Sequence, residues 1–153
     1  MLWNAKEIGL FIKEKAYIDT VVVPLLPISF TDTTKQEAEQ AEFITLLTNL
    51  LERQFKGRML LIPPYTYMSS EVQGSGLERL QNWCEELKNQ GFKHVVCLTS
   101  DPGWKEHETD LDANLIWMPS IPLEHMDEKY KRKIVDDQVN QLVKLIVQNW
   151  QMG

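Results

Sequence analysis

The chain has 153 residues, 43% of them apolar and 25% charged, which supports a hydrophobic core and excludes a globally disordered chain. Its 22 acidic against 16 basic side chains give a formal charge of −6, the wrong sign for a surface that tracks nucleic-acid phosphates. The densest basic cluster, Lys129, Lys131, Arg132 and Lys133, is interleaved with Asp127, Glu128, Asp136 and Asp137 and reads as a solvated helix face.

In chain order, Trp3-Asn4-Ala5-Lys6-Glu7-Ile8 carries an N-cap, a glutamate three residues later and a hydrophobic staple, so a short helix is expected to run to about Ala16. The same opening lacks the basic start and apolar core of a signal peptide. No apolar run approaches the ~20 residues that span a bilayer, and the expected location is the cytoplasm. Thr20-Val21-Val22-Val23 then begins a buried strand, which Pro24 and Pro27 are expected to interrupt by removing two N–H donors. Thr34 and Glu37 form a capping-box pattern for a long helix with apolar positions at Ala38, Ala41, Phe43, Leu46, Leu47, Leu50 and Leu51, stopped by Gly57.

A second strand, Arg58 to Ile62, ends at Pro63-Pro64, and a polar, aromatic loop from Tyr65 to Gly74 leads to a helix lined by Leu77, Leu80, Trp83, Cys84 and Leu87. Phe92 to Thr99 is a third apolar strand and Asn114 to Met118 a fourth, joined through a turn at Ser100-Asp101-Pro102-Gly103-Trp104 and an acidic loop. The final helix is expected from about Asp127 to Trp150. The two cysteines, Cys84 and Cys97, give no metal spacing and no disulfide framework, and each suits a small core position.

The order α-β-α-β-α-β-β-α, with continuous rather than alternating apolar strands, predicts a single α/β domain over residues 1–153. Its architecture is a three-layer α/β/α sandwich around a mostly parallel sheet of about four strands. Right-handed crossovers place the loops after the strands on one edge. That edge collects Phe30, Thr31, Tyr65, Tyr67, Ser100 and Trp104 as candidates for binding a ligand or partner. It also collects Asp32, Asp101 and His107 as candidates for acid–base or metal chemistry.

Stronger signatures are missing. There is no G-x-S-x-G elbow for a serine hydrolase, and Gly74-Ser75-Gly76 lacks the length and lysine of a phosphate loop. The calcium-like start at Asp110-Leu111-Asp112 has Leu115 where glycine is needed and Ile121 where glutamate is needed. No metal site and no cofactor are expected.

From the Trp3 opening through Tyr17-Ile18-Asp19-Thr20 and Pro63-Pro64-Tyr65 to the last helix, the chain resembles the uncharacterised YpiF-like family of Gram-positive bacteria. Genes of that family often stand beside those of the menaquinol–cytochrome c reductase, and the resemblance therefore implies a link to respiratory-complex assembly. The succession of a strand, Thr31-Asp32, a helix, Leu61-Ile62-Pro63-Pro64, Gly74-Ser75-Gly76-Leu77 and Gly91-Phe92-Lys93-His94 is similar to the creatininase-type amidohydrolase core. In those enzymes two metals, held by histidines and carboxylates of the first and third loops, activate water. Here Leu26-Pro27-Ile28-Ser29-Phe30 and Ser100-Asp101-Pro102-Gly103-Trp104 occupy those loops, and Asp32 alone matches the ligand set.

The leading expectation is thus a non-catalytic cytoplasmic module, binding an unknown small molecule or protein on a creatininase-like fold without its metal site. Two alternatives stand beside it. One is a hydrolase built on Asp32, Asp101 and His107; the other is an assembly factor for a respiratory complex. The long final helix also makes a homo-oligomer an expected partner arrangement.

Overall fold

The computed structural model describes residues 1–152. Helix α1 (Ala5–Lys13) leads through a 3₁₀ turn into β1 (Thr20–Ile28), and α2 (Thr34–Gln54) connects β1 to β2 (Met59–Leu61). β3 (Tyr65–Met68) and a 3₁₀ turn over Ser69–Gln73 precede α3 (Gly76–Asn89) and β4 (His94–Thr99). A further 3₁₀ turn, Pro102–His107, leads to β5 (Asn114–Trp117), and α4 (Glu128–Met152) follows. All the strand pairings are parallel, in the order β2-β1-β4-β5, with β3 also beside β1.

The strands lack polar alternation because both faces of the sheet are covered. On one face Val21, Val23, Val95 and Cys97 pack with Leu80 and Cys84 of α3 and with Ile8 and Phe11 of α1. On the other, Val22, Val96 and Leu98 pack with Phe43, Leu47 and Leu51 of α2 and with Val139, Leu142 and Ile146 of α4. The result is the three-layer sandwich that the order of elements predicts. Cys84 and Cys97 are buried with their sulfurs 3.9 Å apart.

Pro24 and Pro27 do not interrupt β1, and the direction of the backbone explains why. Along a strand, successive N–H and C=O pairs point to opposite neighbours. The Ile62 N–H donates to the Val22 carbonyl, so even-numbered residues of β1 face β2; the Thr99 hydroxyl donates to the Leu25 carbonyl, so odd-numbered residues face β4. Pro24 therefore turns its missing donor toward the break between β2 and β3 at Pro63-Pro64. Across that break the register advances from Val22↔Leu61 to Leu25↔Tyr65, one residue more than on β1, which marks a bulge. Pro27 turns its missing donor toward β4, which has already ended at Thr99.

The segment from Tyr65 was expected to be loop but begins with β3, which resumes the pairing with β1 beyond the bulge. The α2 stop also differs. Helix α2 ends at Gln54 with Phe55 as its C-cap, and the glycine in the left-handed region is Gly91, with φ 108° after α3.

Candidate functional site

In the order β2-β1-β4-β5 the chain leaves β1 for one side and reaches β4 from the other. The loops following β1 and β4 therefore diverge, and open parallel sheets carry their crevice at such a reversal. Here the crevice has a volume of about 260 Å³, and its walls include Pro27, Glu37, Gln40, Ser69, Asp101 and Gly103.

One wall is the first turns of α2. The loop into that helix is fixed by the Thr34 hydroxyl, which reaches the carbonyls of Ser29 at 3.0 Å and Thr31 at 2.8 Å. Glu37, only 8% exposed, accepts the hydroxyls of Ser29 on one carboxylate oxygen and Ser69 on the other. The Thr31 and Thr33 hydroxyls each lie 3.2 Å and 3.2 Å from Ser29 Oγ, which extends the chain of hydroxyls outward. Gln40, one helical turn on, is 7% exposed and its Oε1 has no hydrogen-bond partner among the described residues. Ser69 comes from the 3₁₀ turn after β3. Gly76 lets that turn lie against the start of α3, since a Cβ there would meet the Glu71 carbonyl oxygen at 2.3 Å.

The opposite wall follows β4. The Asp101 Oδ1 accepts the Gly103 N–H at 2.9 Å, and its Oδ2 accepts the Tyr67 hydroxyl at 2.5 Å. The Tyr67 oxygen in turn accepts the Trp104 indole N–H at 2.7 Å. Burial pushes the Tyr67 phenol far above its ordinary pKa, and the adjacent Asp101 carboxylate adds to that, so Tyr67 is a fixed neutral donor rather than a base. Ser100 Oγ, next to Asp101 in sequence, is also buried without a partner among the described residues. Among the described residues, neither Glu37 nor Asp101 has a basic group within ion-pair distance.

The residues singled out in the sequence fall into three groups. Asp101 lines the crevice, and Ser100 is buried next to it in sequence. Phe30 is 84% exposed on the rim loop, together with exposed Thr31 and Asp32. Tyr65, Tyr67 and Trp104, expected to offer contact surface, belong to the core instead. Their rings pack edge to face or tilted, Tyr65 on Tyr67 at 5.7 Å and Tyr67 on Trp104 at 5.3 Å, and form the backing of the Asp101 wall.

The acid–base set of Asp32, Asp101 and His107 is not brought together. His107 Nδ1 lies 3.1 Å from Asp110 and its Nε2 3.7 Å from Glu106, so both ring nitrogens serve its own loop. Asp101 has both oxygens committed to Tyr67 and Gly103. Among the described residues, no three His, Cys, Asp or Glu side chains converge as a metal-binding group.

Glu37 and Gln40 were not foreseen, although a signal for them exists. The buried face of α2, traced back from Leu51 through Leu47 and Ile44, reaches Gln40 and Glu37 at three- and four-residue steps. The apolar alanines chosen for that stripe point elsewhere, with Ala38 exposed and Ala41 half-buried. Polar residues on the core face of a helix's first turns mark a place where the helix overhangs something other than core.

A larger cavity, about 540 Å³, runs along the free edge of β5 between Lys105, Trp117, Leu145 and Met152. It gathers no converging carboxylates, and the Lys105 ammonium lies over the Trp117 ring at 3.7 Å. No helix among the described residues is long and apolar enough to cross a membrane.

Comparison with known proteins agrees with the family resemblance seen in the sequence. The chain is 40% identical over 151 residues, 98% of each chain, to the "Uncharacterized protein YpiF" of Bacillus subtilis (strain 168). No solved structure matches. The creatininase-type resemblance gains no support from these comparisons, and the fold rests on the strand order alone. A family model described as "Protein of unknown function (DUF2487)" matches residues 9–150, and the chain belongs to that family.

Proposed function

We propose that the protein is a non-catalytic binding module whose ligand enters the crevice between the ends of β1 and β4. The observation that carries this reading is a pair of carboxylates, Glu37 and Asp101, held by neutral donors at the sheet's reversal point, with the unpartnered Oε1 of Gln40 on the α2 wall. Buried polar atoms normally find partners, so a crevice with a free acceptor is shaped for a group that arrives from outside.

A binding role is favoured over hydrolysis by how the potential catalytic groups are spent. Tyr67 is kept protonated, Asp101 is locked by two donors, and His107 is turned to Asp110. General acid–base work needs a group within reach of a substrate proton and free to exchange it. The crevice volume, below the ~300 Å³ at which drug-sized pockets begin, fits a single small functional group.

The test is a fragment screen by amide NMR on the intact protein, using cationic, neutral and anionic probes. Binding is expected to move the Gly103 and Ser69 amides and the Gln40 side-chain amide. Fragments that map only to the β5 groove, or to no common place, would overturn the assignment of this crevice.

A further inference from the structure

Among the described residues, the charged side chains of the crevice are both carboxylates, Glu37 and Asp101, and that composition points to a class of ligand. Resting on the binding role proposed above, we propose that it recognises a cationic nitrogen donor, an ammonium or guanidinium group. Glu37 and Asp101 supply two negative charges with no basic partner among the described residues. Their hydrogen-bonding donors are Ser29, Ser69, Tyr67 and a backbone amide, all neutral, so the charges are oriented but not cancelled.

Gln40 adds a buried carbonyl oxygen without a donor. Pro27 adds a backbone that cannot donate on the side facing the crevice, because it has no N–H. An anionic ligand would meet two carboxylates and, among the described residues, no basic side chain in the walls. A group with several N–H bonds and a positive charge matches two carboxylates and the Gln40 carbonyl oxygen.

A bare divalent ion is the competing cation. It requires several oxygen ligands at short, fixed distances. Here both Asp101 oxygens and both Glu37 oxygens are already engaged by fixed donors, and no three metal-ligating side chains converge among the described residues. An N–H donor tolerates that arrangement, since carboxylate oxygens accept more than one hydrogen bond. The cation can come from a free small amine or from a lysine or arginine side chain of a partner protein, and both share this chemistry.

The experiment is an amide NMR titration of the full chain with n-butylammonium, methylguanidinium, Nα-acetyl-lysine amide, sodium acetate, n-butanol and magnesium chloride. Sodium chloride at matched ionic strength is the control. The cationic organic probes are expected to shift the Gly103 amide and the Gln40 side-chain amide beyond the sodium chloride control. Glu37→Gln is expected to weaken that binding by about tenfold, the usual scale for a lost charge-assisted hydrogen bond.

Gln40→Met, which removes the orphan oxygen with little change of shape, is expected to weaken binding while raising the melting temperature. That pairing distinguishes a lost ligand contact from a damaged fold. Tighter binding of acetyl-lysine amide than of n-butylammonium supports a partner's side chain as the source; equal binding supports a free amine. Shifts at these residues with acetate, butanol or magnesium but not with the amines would overturn the cationic class and leave the binding crevice standing. The absence of shifts with every probe would overturn both.

Discussion

The two edges of this sheet treat buried charge in opposite ways. At the edge where the strands begin, acids are matched with bases. Asp19 forms a two-pronged pair with Arg58 at 3.0 and 3.2 Å, and the Arg58 guanidinium lies 3.9 Å over the Trp150 ring. The Trp150 indole N–H donates to the Thr20 hydroxyl, which itself donates to Asp19. Glu52, 1% exposed, is paired with Lys56. At the edge where the strands end, Glu37 and Asp101 receive only hydroxyl and amide donors. The first arrangement closes the molecule; the second leaves electrostatic demand facing a cavity. Structural ion pairing and binding potential are thus separated along the strand axis by some length of β1.

The largest expected effect probes where the second edge stops being crevice and becomes core. Trp104→Ala empties a fully buried position and leaves the Tyr67 oxygen without its donor, and is expected to cost about 3–5 kcal/mol in urea unfolding. At the first edge, Arg58→Ala removes a paired and stacked but partly exposed guanidinium, with an expected loss of about 1–2 kcal/mol by the same measurement. Glu37→Gln tests the contrast most directly. Ser29 and Ser69 hydroxyls can rotate to serve an amide, so the change in stability is expected to stay within about 1 kcal/mol. A cost for Glu37→Gln as large as that of Arg58→Ala would show that the two edges are not different in kind.

The smallest effect is the pH dependence at the first edge. Burial lowers the His94 pKa, with Asp19 at 4.0 Å opposing it only in part. The unfolded chain then takes up a proton that the folded one resists, so this stability contribution shrinks as pH falls below the ordinary histidine value of about 6.5. Burial raises the Asp19 pKa, but hydrogen bonds from Arg58 and Thr20 and the Arg58 charge reverse this and hold it below its ordinary value. Its contribution is complete above about pH 3.9 and is lost as pH falls through the lower folded value. Urea midpoints are expected to decline from pH 7 to pH 5, and His94→Asn is expected to flatten that decline. A decline unchanged in His94→Asn would place the pH sensitivity elsewhere.

Most of the scaffold was legible because it depends on short-range pattern. The blocks Val21-Val22-Val23 and Val95-Val96-Cys97-Leu98 are apolar without interruption, and Asn4 with Glu7 caps α1 as their spacing requires, the Glu7 N–H donating to Asn4 at 2.9 Å. What was not legible depends on partners distant in sequence. Glu37 looks like a capping-box residue until Ser69, 32 positions away, is seen to donate to it. Tyr67 and Trp104 look like surface aromatics in polar loops, yet they sit in the core, where Asp101 accepts the Tyr67 hydroxyl and Tyr67 accepts the Trp104 indole N–H. The prolines of β1 belong to the same class, since whether a missing donor matters depends on which neighbour it faces.

That placement of Pro27 also bears on what the open side of β1 offers to another chain. β1 runs past the end of β4, so its last residues have strand-paired backbone on the β3 side alone. A half-covered strand rich in apolar residues is a template onto which an extended segment of another chain can add, and such additions begin aggregation. Beyond Leu25, the backbone group facing that open side belongs to Pro27, which offers a carbonyl and no N–H. An incoming strand would find its ladder broken at the first step, so the same proline that leaves an acceptor in the crevice also keeps the crevice from being zipped shut by a stranger's backbone.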